Sequence, residues 1–249
     1  MVHSNQVHAS FDPVNAASYA LGPAHKQSSF EVNYFNIHGF GQNPRTLLAL
    51  AGVSFKSHTP EKWIEEEMAK TAFGVMPVLK ETTVDGKVLE ISESVAIEHY
   101  LGRIFGLYGD NHFEQTVIDQ FYHSTSSLLD QIYSRKFGYK DHPKILEDNL
   151  KKLSETYVPT WAKYHEAHLQ ANGANGHYVG NKFSIADVRS ANLIPVIQSI
   201  TGETIVSESK TPAIWKLKTT LEANPSYAAY TETDEFKGHC KGNMEYYGF

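Results

Sequence analysis

Few residues in this chain of 249 have both the type and the setting for chemistry. Phe30, Val32 and Tyr34 alternate with polar neighbours, and Tyr34 stands shortly before His38-Gly39-Phe40-Gly41 and the helix-starting pair Asn43-Pro44. A phenol between a strand end, a glycine turn and a helix N-terminus can donate a hydrogen bond into a cleft; as a half-buried strand tyrosine it only packs. Met76-Pro77 stands at the mouth of another strand, where proline is tolerated. Ser184-Ile185-Ala186-Asp187 has the spacing of a capping box, and its carboxylate has an alternative use as an acid or base. His99 sits in a helix, with His165 and His168 three apart on another; no third or fourth ligand accompanies them, so they read as solvated helix residues and no metal is expected. Glu65-Glu66-Glu67 reads as a solvated face. The single cysteine, Cys240, excludes an internal disulfide, a multi-thiolate zinc site and a Cys-x-x-Cys motif, and it reads as an exposed thiol rather than a nucleophile.

The elements that position these residues follow from periodicity and punctuation. A strand from Phe30 leads through the glycine turn to a helix carrying Leu47, Leu48 and Leu50, which stops at Gly52. A second strand fits Val53 to His58, and Glu61 to Thr71 is weakly helical. Pro77-Val78-Leu79 opens a third strand, Val84-Asp85-Gly86-Lys87 is a hairpin turn, and Val88 to Ile91 is a fourth strand. Ser94 to Phe105 is helical, with Val95, Ile97, Tyr100, Leu101 and Ile104 spaced for one buried face. Strand–helix–strand followed by strand–strand–helix fits a thioredoxin-like arrangement. After Gly106 only helical patterns appear. Phe121, Leu128, Leu129 and Ile132 form one stripe, Lys144 to Gln170 reads as one long helix, and 172–176 is a loop. The expected organisation is a flexible extension over 1–29, a thioredoxin-like α/β domain over 30–108, and an all-α domain over 112–249 that includes the C-terminal tail.

Composition narrows the function classes. Lys plus Arg is 22 against 28 for Asp plus Glu, a formal net charge of −6, which is the wrong balance for a partner recognised through its phosphates. No stretch approaches the ~18 apolar residues of a membrane span. The first thirty residues hold no apolar block like a signal-peptide core, and no arginine precedes Arg45. A reducing, cytoplasmic setting is expected, with neither nucleic acid nor membrane as partner. No P-loop, G-x-G-x-x-G or G-x-S-x-G occurs.

Four motifs in order are similar to the cytosolic glutathione transferase family: Tyr34-Phe35-Asn36 with Pro44-Arg45-Thr46-Leu47-Leu48; Phe73-Gly74-Val75-Met76-Pro77-Val78-Leu79; Glu93-Ser94-Val95-Ala96-Ile97-Glu98-His99-Tyr100-Leu101; and Phe183-Ser184-Ile185-Ala186-Asp187-Val188. The wording around Tyr34 and Met76 most resembles the sigma class, which includes prostaglandin D synthase relatives and the S-crystallins. The resemblance implies a thioredoxin-like domain followed by an all-α domain, a homodimer, and glutathione as co-substrate. By it, Tyr34 is the catalytic tyrosine and Pro77 the cis-proline. Met76 offers its backbone to the cysteinyl part, Ser94 and the helix start hold the γ-glutamyl carboxylate, and Trp63 lines the glycyl end. Glu93 stands where a glutamine is usual and could accept from the α-ammonium group. Phe40 and Tyr133 are expected to line the second-substrate pocket.

The implied chemistry is thiolate transfer. The Tyr34 hydroxyl donates to the glutathione sulfur and favours its anion; a drop of ~2 units in the thiol pKa corresponds to about 2.7 kcal/mol. The expected activity is conjugation of small electrophiles. Three positions depart from the family pattern. Phe40 replaces an arginine, Glu67 replaces a lysine that pairs the glycine carboxylate (with Lys70 a possible substitute), and Ser127 replaces an acidic residue that reaches across the dimer. These departures support the alternative of a non-enzymatic, crystallin-like structural or binding protein with a degraded glutathione site. Tyr246, Tyr247 and Phe249 in the tail could fold over the cleft or pack against the body.

Overall fold

A computed structural model of the chain describes residues 22–248. Four strands, β1 (Ser29–Asn33), β2 (Phe55–His58), β3 (Val78–Thr82) and β4 (Val88–Ser92), form one sheet in the order β2-β1-β3-β4. β1 and β2 are parallel, because helix α1 (Gln42–Ala51) supplies the crossover between them; the other pairings are antiparallel. α1 stops where Gly52 turns left-handed at φ +68° and its N–H bonds back to Ala49 O and Leu48 O. β3 and β4 form a hairpin around Gly86, also left-handed. Helix α2 (Ser94–Ile104) packs on β3 and β4 and against α1. Val32, Leu47, Leu48, Leu79, Ile97 and Leu101 are wholly removed from water, each contributing about 1.5–3 kcal/mol. Of the buried face expected for α2, Ile97 and Leu101 hold, whereas Val95 in the first turn is exposed.

The second unit, Gly106–Pro225, is helical. It comprises α3 (His112–Ile132), α4 (Pro143–Lys152), α5 (Val158–Ala171), α6 (Ile185–Thr201) and α7 (Pro212–Glu222). α3 lies along α6, and α7 contacts both α5 and α6. Its core includes Ile118, Tyr122, Leu128, Ile132, Ile185, Val188, Leu193, Ile194 and Ile197. The single helix expected over Lys144 to Gln170 is two helices joined by a π-helical turn, Leu153–Tyr157. Of the stripe expected on α3, Leu128 and Ile132 are buried, whereas Leu129 and Phe121 are half-buried, with Phe121 stacked on Tyr178 at a ring-centroid distance of 4.4 Å. Among the described residues, no helix is long and apolar enough to cross a membrane.

Three expectations need correcting. The extension expected over 1–29 falls partly outside the described residues, and its described part is folded. Gly22–Gln27 is a short 3₁₀ helix, His25 is buried 2.7 Å from Glu81 of β3, and β1 already starts at Ser29. The tail differs too. Helices α8 (Pro225–Thr231) and α9 (Asp234–Tyr247) follow, and Ser226–Gly248 belongs to the sheet unit rather than the helical one. The reason is packing: Tyr230 lies against Phe55 of β2 and Phe236 against His38. Finally, His99 and His165 are buried, and only His168 of the three is exposed. His99 Nδ1–H donates to Val95 O at 2.8 Å, and His165 is enclosed by Trp161, Ser124 and Tyr178.

Candidate functional site

The antiparallel register brings the singled-out residues of the sheet unit to one edge. Asn33 pairs with Val78, and Val78 pairs with Ser92. One step further along each strand stand Tyr34, Pro77 and Glu93, with Ser94 opening α2 beside them. Strand order therefore sets the tyrosine, the proline and the helix start in neighbouring rows, although they are up to sixty residues apart in the chain.

Tyr34 directly follows β1, and its N–H still donates to His58 O of β2 at 3.0 Å. The chain then turns sharply, with Ile37 N–H donating to Phe35 O at 2.7 Å. Two glycines admit the ring. A Cβ on Gly39, whose φ is +38°, would lie 2.7 Å from the Tyr34 hydroxyl; one on Gly41 would lie 2.8 Å from Tyr34 Cδ1 and 3.0 Å from Arg45 Nη1. No side chain fits either position, which is the local reason for the His38-Gly39-Phe40-Gly41 sequence. The Tyr34 hydroxyl accepts from Phe40 N–H at 3.2 Å, and the residue is only 5% exposed. Burial pushes its pKa up to about 12, partly offset by the Phe40 hydrogen bond. Tyr34 is thus a protonated phenol throughout the neutral range, a hydrogen-bond donor and not a base.

The Met76-Pro77 peptide is cis, with Pro77 buried and Met76 half-buried. Glu93 is exposed and holds φ +73°, an uncommon conformation for a residue with a Cβ. Such strain persists only where the surroundings impose it. Here it turns the chain from β4 into α2 so that Ser94 is the first helical residue. The first N–H groups of any helix lack intrahelical acceptors and carry partial positive charge, so this end suits a carboxylate.

Trp63 lies half-buried at the start of a π-helical turn, Trp63–Glu67, between β2 and β3. Glu67 in the same turn sits 3.6 Å from His58, Lys62 pairs with Glu66 at 2.8 Å, and Lys70 is exposed on the next turn. Phe40 is half-exposed in the sheet unit. Tyr133 belongs to the helical unit, where it packs on Phe137 at 5.2 Å. Ser127 is exposed on α3 and its hydroxyl donates to His123 O. Asp187 is fully engaged as a helix cap: it accepts from Ser184 N–H at 2.7 Å, Ser184 Oγ–H at 2.9 Å and Tyr178 N–H at 2.8 Å, which leaves no role as acid or base.

One buried neighbour of Tyr34 escaped the sequence reading. Arg45 of α1 is wholly buried; it donates from Nη1 to Ile37 O and from Nε to Ser57 Oγ, each at 2.9 Å. Its guanidinium lies 6.0 Å from the Tyr34 ring centroid. The only sequence signal was a charge set in the apolar run of a helix, one turn before Leu48 and Ala49.

Residues 126–234 match the family model for the glutathione S-transferase C-terminal domain. Glutathione S-transferase 3 of Caenorhabditis elegans is 30% identical over 178 residues, covering 68% of this chain and 81% of that protein. S-crystallin SL11 of Nototodarus sloanii is 29% identical over 206 residues, covering 81% of this chain and 95% of that protein. A sigma class transferase structure from Fasciola hepatica superposes with a TM-score of 0.71 at 24% identity, covering 82% of this chain and 95% of that one.

Proposed function

Because the chain belongs to the glutathione S-transferase family, we propose that it conjugates the thiolate of glutathione to small electrophiles. The observation that carries this reading is the convergence of a protonated Tyr34, the Met76-Pro77 peptide and the Ser94 helix start at one sheet edge. Ser94 and the N-terminus of α2 hold the γ-glutamyl carboxylate, with Glu93 facing the α-ammonium. Met76 pairs with the cysteinyl backbone through its N–H and C=O, and Trp63 lines the glycyl end. Tyr34 donates its hydroxyl hydrogen to the sulfur, so the thiol proton leaves to solvent and the anion remains. The sulfur then forms a bond to the electrophilic carbon, and the leaving group departs with its electron pair. Glutathione is consumed in this scheme, as co-substrate and not as a resident cofactor. The protein acts as a homodimer.

Tyr34→Phe tests the assignment. It is expected to lower kcat on the order of 100-fold, the thiolate fraction equivalent to ~2 pKa units, while glutathione affinity by calorimetry changes less than about threefold. A phenylalanine variant with full turnover sinks it.

The second reading is a crystallin-like binding or structural protein. It is favoured by Glu67, a carboxylate beside His58 where a cation would pair the glycine carboxylate, and by Phe40 in place of an arginine. Titration with reduced glutathione separates the two readings, since the second predicts no saturable heat at several times ~1 mM.

A further inference from the structure

Helix α9 begins where the family-model match ends, at residue 234. Thr233 caps it by accepting from Phe236 N–H at 3.2 Å, which places the carboxylate of Glu235 in the first turn, where negative charge is favoured. The helix lies directly on the turn that follows Tyr34. Asn243 accepts from His38 N–H at 2.9 Å, and Phe236 packs on the His38 ring at 4.7 Å. A Cβ on Gly242 would fall 1.8 Å from Asn36 O, so helix backbone touches turn backbone and only glycine fits.

From this contact we infer that Glu235 is a positioning residue for Tyr34, acting through Ser57 and Arg45. The carboxylate takes both donors of Ser57: Oγ–H at 2.9 Å and N–H at 3.2 Å. Ser57 Oγ in turn accepts from Arg45 Nε, and Arg45 Nη1 holds Ile37 O in the middle of the turn. Arg45 Nη1 and the Tyr34 ring both border the space that a side chain on Gly41 would fill. A fully buried guanidinium is stable only with acceptors and a countercharge, and Glu235 supplies the countercharge one serine away. Without it, Ser57 N–H loses its acceptor, Arg45 loses its compensation, and the turn loses the grip that aims the phenol.

The inference rests on the reading of Tyr34 as the phenol that donates to sulfur, so its test has one readout that needs no turnover. In the full chain, Glu235→Ala, Glu235→Gln and, as a control on the outer face, Glu245→Gln are compared. Glu245 is exposed and pairs only loosely with Lys241, at 3.8 Å. The first readout is hydrogen exchange at the Phe40 amide, which bonds the Tyr34 hydroxyl. The second is steady-state kinetics with glutathione and a chlorodinitrobenzene.

Glu235→Ala is expected to speed Phe40 exchange by about tenfold or more, well beyond the change at β1 or α2 amides, and to lower kcat about tenfold with KM for glutathione within about twofold. Glu235→Gln retains one acceptor and falls between; Glu245→Gln matches the unaltered chain. Unchanged Phe40 exchange, exchange that quickens equally throughout the sheet, or a loss carried by KM overturns the inference. An unaltered chain with no turnover ends the transferase reading, and the Phe40 exchange then decides by itself whether Glu235 holds Tyr34.

Discussion

Beneath α9, His38, Arg45, Tyr230 and His239 share a buried seam; in the helical unit, Ser124, Thr125, Trp161, His165, Tyr178 and Ser190 share another. The second is complete. His165 bonds Tyr178 Oη at 2.6 Å and Ser124 Oγ at 2.9 Å, Trp161 Nε1 donates to Thr125 Oγ1 at 3.2 Å, and Thr125 pairs with Ser190 at 2.8 Å. The first is not. Among the described residues, His38 Nδ1, Arg45 Nη2, Tyr230 Oη and His239 Nδ1 are buried without a hydrogen-bond partner. An unpaired buried polar group costs about 1–3 kcal/mol, so the seam under α9 is held by its packing and by the Glu235–Ser57–Arg45 bonds against an internal cost. The complete network belongs to the scaffold, and the incomplete one borders Tyr34. Four buried polar atoms without a partner thus cluster near the residue proposed to do chemistry, whereas the helical unit has two among its described residues, His177 Nδ1 and Thr220 Oγ1, outside this network.

The largest effect is expected where the scaffold is most fully bonded. Asp187→Ala removes the acceptor of three hydrogen bonds at a 1% exposed position, and it should cost about 3 kcal/mol or more in urea unfolding. A loss below about 1 kcal/mol would mean that the capping box is not what fixes the start of α6.

Acid sharpens the comparison next. Burial, with the Arg45 charge adding, lowers the His38 pKa to about 4. The groups facing its ring are His239, Cys240 and Phe236 on α9 and Arg45 on α1. A chain with α9 released binds a proton at His38 near the ordinary ~6.5, and the docked chain does not until about pH 4, so docking weakens as pH falls through that window. At pH 5 the loss from His38 is about 2 kcal/mol, and His239, also lowered, acts in the same direction. Limited proteolysis of the tail should quicken from pH 7.5 to pH 5. A tail cut at the same rate at both values removes His38 from the seam's energetics.

The smallest effect is expected at Cys240. Its thiol lies 3.2 Å from His38 Nε2 on an exposed residue, and burial raises its pKa. Cys240→Ser should shift stability by less than about 0.5 kcal/mol and leave turnover unchanged. A large change in turnover would draw the thiol into the chemistry.

Much of the sheet unit was legible because its signals are local. Alternation marked β1, the glycine turn and Asn43-Pro44 marked the start of α1, and Val84–Lys87 marked the hairpin. Ser184 and Asp187 capped α6 just as their spacing requires. Burial of polar side chains was not legible. His99 and His165 occupy helix positions that look solvated in the sequence, and only tertiary packing puts them inside. Arg45 shows the same limit: its apolar neighbours were visible, but its acceptors Ile37 O and Ser57 Oγ come from a turn and from β2.

The sequence by itself determined the order of elements, the turns and caps, and the residue types at the sheet edge, because propensity, periodicity and capping act over a few residues. The tertiary structure decided which of those residues meet. Register set Tyr34 beside Pro77 and Glu93, and packing carried α9 about 200 residues back along the chain onto the Tyr34 turn. Contacts between segments so distant leave no trace in local pattern, since each side of them is specified only by the shape and charge of the other.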